Sequence, residues 1–411
     1  MGTELSEAEA EQYIGERCFT ARRPRLIGVE LEWLVRFARD ERAHVGGEAS
    51  ESAVVPLAEG GPLPRGGRVS REPGGQLELS SAPAASLAEC VDDVTADLGT
   101  IVDALAPHGL VIEGGGLDAC RAPLIVVEDR RYRVMERYYD DKQAAYGLMC
   151  STASVQVNLD AGEEDGVFGW RRRWALAHRL GPVLNAAFAN SPLLEGRPTG
   201  LKSTRQTLWW RLDRPRTRPA TEVAGEPREA WTRYALDAPV MCLRREAPEP
   251  WDAPPGLTFR SWLREGCSER EPNLEDLRYH LGTLFPPVRP RGWLELRMID
   301  AQPGGDWVVP LALCWALFDD PDASVAAWEA TEPLVGGDGL PPWALWQRAD
   351  RHGLADGALG EAARACFAAA AAALERSGVP ERVRGALRDF AARYVERGRC
   401  PADDRLAAVP G

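Results

Sequence analysis

Two carboxylates spaced two residues apart in an apolar stretch are the first groups in this chain that could do chemistry. In "IGVELEWLV", Ile27 to Val35, the side chains of Val29, Leu31 and Trp33 alternate with Glu30 and Glu32. That period of two is the mark of a strand buried on one face. The signature recurs three times. "QLELS" sets Gln76 and Glu78 opposite Leu77 and Leu79. "SVQVNLD" sets Gln156 and Asn158 opposite Val155, Val157 and Leu159, and "WLELRMID" sets Glu295 and Arg297 opposite Leu294, Leu296 and Met298. Ahead of Gln76 the loop "SREPGGQLELS" carries Arg71 and Glu72 into a Pro-Gly-Gly turn. Its glycines would let backbone approach a ligand or simply make a bend.

An antiparallel sheet with one wet face gives such alternation unaided. The outward residues here, however, are almost all carboxylates and amides, not the Lys, Thr and Ser mixture of a solvated sheet. Two carboxylates roughly 4 Å apart repel by about 4 kcal/mol at an effective dielectric near 20. Glu30, Glu32, Glu78 and Glu295 on one face therefore call for raised pKa values or for cations. A set of oxygen donors with no cysteine suits Mg2+ or Mn2+ better than zinc or copper. The sharper reading is a carboxylate-lined metal site.

The elements that must position these residues mix strands and helices irregularly. Residues 6–16 read as a helix leading into the first strand, and the Gly-, Glu- and Pro-rich stretch Glu41–Gly67 as a hairpin or loop insertion. Ser86 and Glu89 form a capping box for a helix to about Ala106. Helical pattern covers Gly166 to about Asn190, with a break expected at Gly181–Pro182. Asp213–Arg228 reads as a loop, Asn273 caps a helix, and the last third is mostly helical, with Pro380 in the first turn of its final long helix. Without a steady βαβ beat, the expected class is α+β with an antiparallel sheet. Neither GxGxxG nor GxxxxGK[ST] occurs.

Composition narrows the function. The 411 residues carry a net charge of −13, which argues against a nucleic-acid or membrane-surface binder. No apolar run reaches the length of a membrane helix, and the acidic N-terminus lacks the pattern of a signal peptide, so a cytoplasmic location is expected. Nine cysteines without a CxxC pair read as buried free thiols, and no zinc spacing is present.

Taken in order, "GVELE", "EPGGQLELSS", "RYRVMERYY", "MCSTASVQVNLD" and "HLGTLFPPVRPRGWLELRMID" resemble the glutamate–cysteine ligases of the plant and bacterial type, above all the actinobacterial branch that serves ergothioneine biosynthesis. The resemblance spans Ile27 to Ala301. It implies a glutamine-synthetase-like core, a curved antiparallel sheet with flanking helices. One catalytic domain over 1–411 is expected, with its core at 20–305 and a helical part at 306–411. The implied reaction joins the γ-carboxylate of L-glutamate to the amine of L-cysteine with ATP and Mg2+, through a γ-glutamyl phosphate. By resemblance Glu30, Glu32, Glu72, Glu78 and Glu295 fall on metal-binding positions, and Gln156 where other branches carry a histidine. Arg297 matches the arginine at the transferred phosphoryl group, while Arg205 and Trp209 lie where the family binds glutamate and Asn158 on the substrate side.

From the residues alone, Tyr132, Met135 and Tyr138 read as a packed helix face, His280 as a structural histidine and Cys150 as a buried thiol. Two rival functions stay open: a ligase using another amine, and a metal-dependent hydrolase on the same carboxylates.

Overall fold

The computed structural model describes residues 4–21, 25–139, 147, 149–220, 226–246, 248–267, 270–335 and 339–409. The four signature stretches become four neighbours in one sheet. These are β1 (Ile27–Phe37), β3 (Leu77–Ser80), β5 (Ser154–Asp160) and β9 (Trp293–Asp300). With β2 (Arg68–Arg71), β4 (Leu110–Glu113) and β8 (Val288–Pro290) they make seven strands in the order β2-β3-β1-β5-β9-β8, β4 pairing with β1. Every pairing is antiparallel. β6 (Leu193–Leu194) and β7 (Arg197–Pro198) form a separate small ribbon. The α+β expectation holds.

Register places the polar residues together. Glu32 stands opposite Glu78, Glu30 opposite Gln156, Asn158 opposite Glu295, and Arg289 opposite Glu295 on the other side. A bulge interrupts β5 and β9: Val157 pairs with Leu296 but Val155 with Ile299, so Gln156 meets a widened stretch at Arg297 and Met298.

Val29, Leu31, Leu77, Leu79, Val155, Val157, Leu159, Leu294 and Leu296 fill the opposite, buried face. Helices Leu87–Leu105, Trp170–Ala187 and Val308–Asp319 pack against it. Behind Val308–Asp319 lie Pro321–Thr331, Gly357–Ser377 and Glu381–Arg393. One hydrophobic core runs through all of these, from Leu5 to Val395.

Several expectations are corrected. The Glu41–Gly67 stretch holds a helical run, Gly47–Ala49, Ser50–Val54 and Val55–Glu59, because Ala53 and Val54 dock into the core. Trp170–Ala187 passes through Pro182 without a break; burial on all sides from Leu176 onward overrides the lost backbone bond. Arg214–Thr217 and Pro227–Asp237 are helical within and beyond the expected loop, whose residues 221–225 lie outside the described set. Pro380 is the N-cap residue, one position before the helix. Cys120 is exposed and Cys267 half-buried, whereas the other seven cysteines are buried and all nine are free. Helix Gly357–Ser377 is long and apolar enough, by length and composition, to cross a membrane, but it packs into the helical layer described above.

Candidate active site

A cavity of about 490 Å³ opens on the polar face of the sheet. Its acidic side is built by β1, β3 and the turn before β3, which bring in Glu30, Glu32, Glu78 and Glu72. The Pro-Gly-Gly turn works by packing. Gly75 adopts φ of +83°, and a Cβ on Gly74 would sit 1.9 Å from the carbonyl oxygen of Cys150. Gln76 locks the same turn, accepting from Gly74 N at 3.0 Å and donating to the carbonyls of Met149 and Thr152.

Burial and mutual repulsion raise all four carboxylates. Burial, then the charges of Glu295 and Glu78, lifts Glu30 to about 7. Burial with Glu78 and Glu32 lifts Glu72 to about 8, and burial with Glu32 lifts Glu78 to about 7. Glu32 is raised by burial against the pull of Arg205 and Arg297. Such a bank of oxygen donors fits hard divalent cations chemically. As the side chains stand, no three His, Cys, Asp or Glu groups among the described residues close on one point as an ion would require.

The basic side comes from β8, β9 and two helices. Arg289, Arg291 and Arg297 line the cavity with Arg205 from helix Thr204–Leu212 and Arg131 from helix Arg130–Tyr138. Glu295 lies beneath them, fully buried. Burial would raise its carboxyl, but Arg289, Arg297 and Arg291 outweigh that and bring it to about 2. Arg289 Nη2 donates to Glu295 Oε1 at 2.7 Å, and Arg297 Nη1 donates to the same oxygen. Arg297 Nη1 also donates to Gln156 Oε1, while Gln156 Nε2 donates to Glu32 Oε1 at 2.8 Å. Gln156 thus links the acidic bank to Arg297, with its carbonyl already engaged.

The remaining expected residues are placed as follows. Arg205 donates through Nε to Asp300 Oδ1 at 2.7 Å and through Nη2 to the Arg297 carbonyl at 3.2 Å. Trp209 lines the cavity with its indole N–H on the Phe285 carbonyl. Asn158 donates to Glu30 Oε1 at 3.2 Å and accepts from Trp293 Nε1 at 3.0 Å, so it buttresses the wall. Tyr132 and Met135, read from the sequence as packing, also line the cavity, whereas the Tyr138 hydroxyl bonds Asp213. His280 is structural as expected: its Nε2 faces the Ala235 carbonyl at 2.8 Å, and burial drives it down to about 3. Cys150 is a buried thiol raised to about 12 by desolvation.

Arg131, Arg289 and Arg291 were missed by sequence reasoning. For the last two a signal existed: "VRPRGWLEL" continues the alternation backwards through the Gly292 turn and aims both arginines at the face of Glu295.

A model of glutamate-cysteine ligase family 2 (GCS2) matches residues 26–409. The chain belongs to glutamate–cysteine ligase family 2. Within the family it is 38% identical over 404 residues to "Glutamate--cysteine ligase EgtA" of Mycobacterium tuberculosis, covering 96% of this chain and 88% of that protein. It is 40% identical over 359 residues to the EgtA of Mycolicibacterium smegmatis, covering 86% and 80%. The chloroplastic glutamate–cysteine ligase of Arabidopsis thaliana is 34% identical over 265 residues, 61% of this chain and 49% of the plant protein. Among solved structures, the Francisella tularensis glutamate–cysteine ligase in complex with AMP superposes with a TM-score of 0.53 at 13% identity, covering 94% and 85%. That likeness concerns the fold.

Proposed function

We propose that this member of the family is an ATP-dependent glutamate–cysteine ligase. It joins the γ-carboxylate of L-glutamate to the amine of L-cysteine and releases ADP and phosphate. The observation that carries the reading is the facing of Glu30, Glu32, Glu72 and Glu78 with Arg205, Arg289 and Arg297 across one cavity. Glutamate and ATP are both anions, and bringing them together favours this many fixed cations; a hydrolase of an uncharged substrate has no such need.

The first step is attack of a γ-carboxylate oxygen of glutamate on the γ-phosphorus of ATP, which expels ADP. The cysteine amine then attacks the acyl carbon of the resulting γ-glutamyl phosphate, loses a proton and displaces phosphate. Glu30, Glu32, Glu72 and Glu78 are the residues that would hold Mg2+ or Mn2+, while Gln156 and Glu295, expected beside them as ligands, hold Arg297 in this arrangement. Such ions, when bound, neutralise and align phosphate oxygens. Arg297 stabilises charge on the transferred phosphoryl group, its planar donors being kept in place by Glu295 and Gln156. Arg205 holds the α-carboxylate of glutamate through Nη1, which has no protein partner among the described residues, and Trp209 walls that end. Asn158 serves substrate binding by steadying Glu30.

The single core from Leu5 to Val395 supports one catalytic unit over 1–411, in which the helices between Val308 and Arg393 back the sheet. Nine thiols that form no disulfide support a reducing, cytoplasmic setting. The two EgtA relatives support a place in ergothioneine biosynthesis.

The test is ADP release from ATP, Mg2+ and glutamate with cysteine or other amines. A sharp rise with cysteine alone, and γ-glutamylcysteine in the mixture, is expected. A response to another amine moves the substrate and keeps the mechanism. Silence with every amine overturns the ligase reading.

A further inference from the structure

Asp300, at the last position of β9, was singled out by no motif, yet both oxygens of its buried carboxylate are fully bonded near the cavity. Its Oδ1 accepts from Arg205 Nε at 2.7 Å and from Ser203 Oγ at 3.1 Å. Its Oδ2 accepts from Ser191 Oγ at 2.7 Å and from Asn190 N at 2.8 Å. Asn190 is in turn held by Arg405, whose Nε donates to Asn190 Oδ1 at 2.8 Å. The backbone opposite is shaved to admit Asp300: a Cβ on Gly116 would lie 2.5 Å from its Cγ.

The consequence falls on Arg205. Two of its three nitrogens are tied to β9, Nε to Asp300 and Nη2 to the carbonyl of Arg297. Its backbone N–H bonds Ser191 Oγ at 3.1 Å, so the same small cluster also fixes the start of the helix Thr204–Leu212. One strand therefore carries both the side chain of Arg297 and the anchor of Arg205. Both cations are thus anchored on β9, Arg205 by Asp300 and the Arg297 carbonyl, Arg297 by Glu295.

We propose that Asp300 is a positioning residue that fixes the span between Arg205 and Arg297, and through it the length of dicarboxylic amino acid the site accepts. This rests on the assignment of Arg205 to the α-carboxylate and Arg297 to the phosphoryl end. A substrate shorter by one methylene cannot engage both cations while Arg205 is tied down. An Arg205 released from Asp300 adapts to it and holds the longer substrate less well, since donors fixed in advance lose little on binding.

The experiment uses the full chain and reads three quantities: KM for glutamate, KM for ATP and the inhibition constant of L-aspartate against glutamate. In Asp300→Asn the ratio of the aspartate inhibition constant to the glutamate KM should fall about tenfold, with KM for ATP unchanged. A purely structural role would weaken all ligands together and leave that ratio where it was, which overturns the proposal. Should Asp300→Asn not fold, Ser191→Ala decides. It removes one bond to Asp300 and one to the Arg205 backbone, and a fall in the ratio of at least about twofold is expected; an unmoved ratio overturns the proposal. Arg205→Lys separates the two levels: if it leaves the glutamate KM unmoved, the assignment of Arg205 fails first, whatever Asp300 does.

Discussion

Glu72 and Glu78 face each other's charge and that of Glu32 in a setting that shields them from water. Folding therefore raises their pKa values, with that of Glu30, from the ordinary carboxylate range to about 7 or 8. In the window between, the folded state binds more protons than the unfolded one, so stability falls as pH rises. The favourable contribution is complete below the unfolded values and is lost as pH climbs through about 7 to 8. Metal-free protein should accordingly melt at a higher temperature near pH 6 than near pH 8, and Mg2+ should raise the melting temperature more at the higher pH. Calorimetry at both pH values, with and without Mg2+, checks this. A melting temperature that rises with pH would sink the raised pKa values, and a Mg2+ effect of equal size at both would show that the bank is not where cations bind. Glu295 behaves in the opposite sense, its three arginines having already claimed its charge.

Strand alternation made the sheet and much of its polar face legible in the sequence. Glu30, Glu32, Glu78, Gln156 and Arg297 were found because a period of two fixes the face on which a side chain emerges. What could not be read is what crosses between elements. Whether Arg297 spends its donors on Gln156 and Glu295 depends on a bulge, and Asp300 meets Arg205 only because helix Thr204–Leu212 lands on β9. The 47–59 helix was hidden by Gly, Glu and Pro because Ala53 and Val54 gain their preference from the core they dock into. The Pro-Gly-Gly turn has room for no side chain at Gly74, so Gly74→Ala should displace Glu72, destabilise by more than about 2 kcal/mol and cut turnover. Gly99→Ala, on an exposed helix position with open space around it, should stabilise by about 0.5–1 kcal/mol with activity intact. Denaturant titrations and turnover of the two variants side by side would show whether close approach, and not glycine content, governs the turn.

The sheet and the helical last third share one core, and the tie at the C-terminal end is polar as well: Lys202 pairs with Asp403, and Arg405 bonds Glu113 and Asn190. Unfolding should then be a single event. Far-UV circular dichroism and the fluorescence of the fourteen tryptophans should report coincident denaturant midpoints, and separated midpoints would mean the helical part melts alone.

By formal charge the cavity's two banks cancel, four carboxylates and Glu295 against five arginines, and near neutral pH the raised carboxylates leave the arginines in excess, while the whole chain carries a net charge of −13. A nucleotide or an acidic amino acid approaching from bulk water is therefore repelled at long range and attracted only at the mouth. Capture depends on short-range fields rather than steering, so added salt, by shortening the reach of that outer repulsion to within about 10 Å at 0.1 M, speeds the encounter with anionic substrates before it weakens their hold.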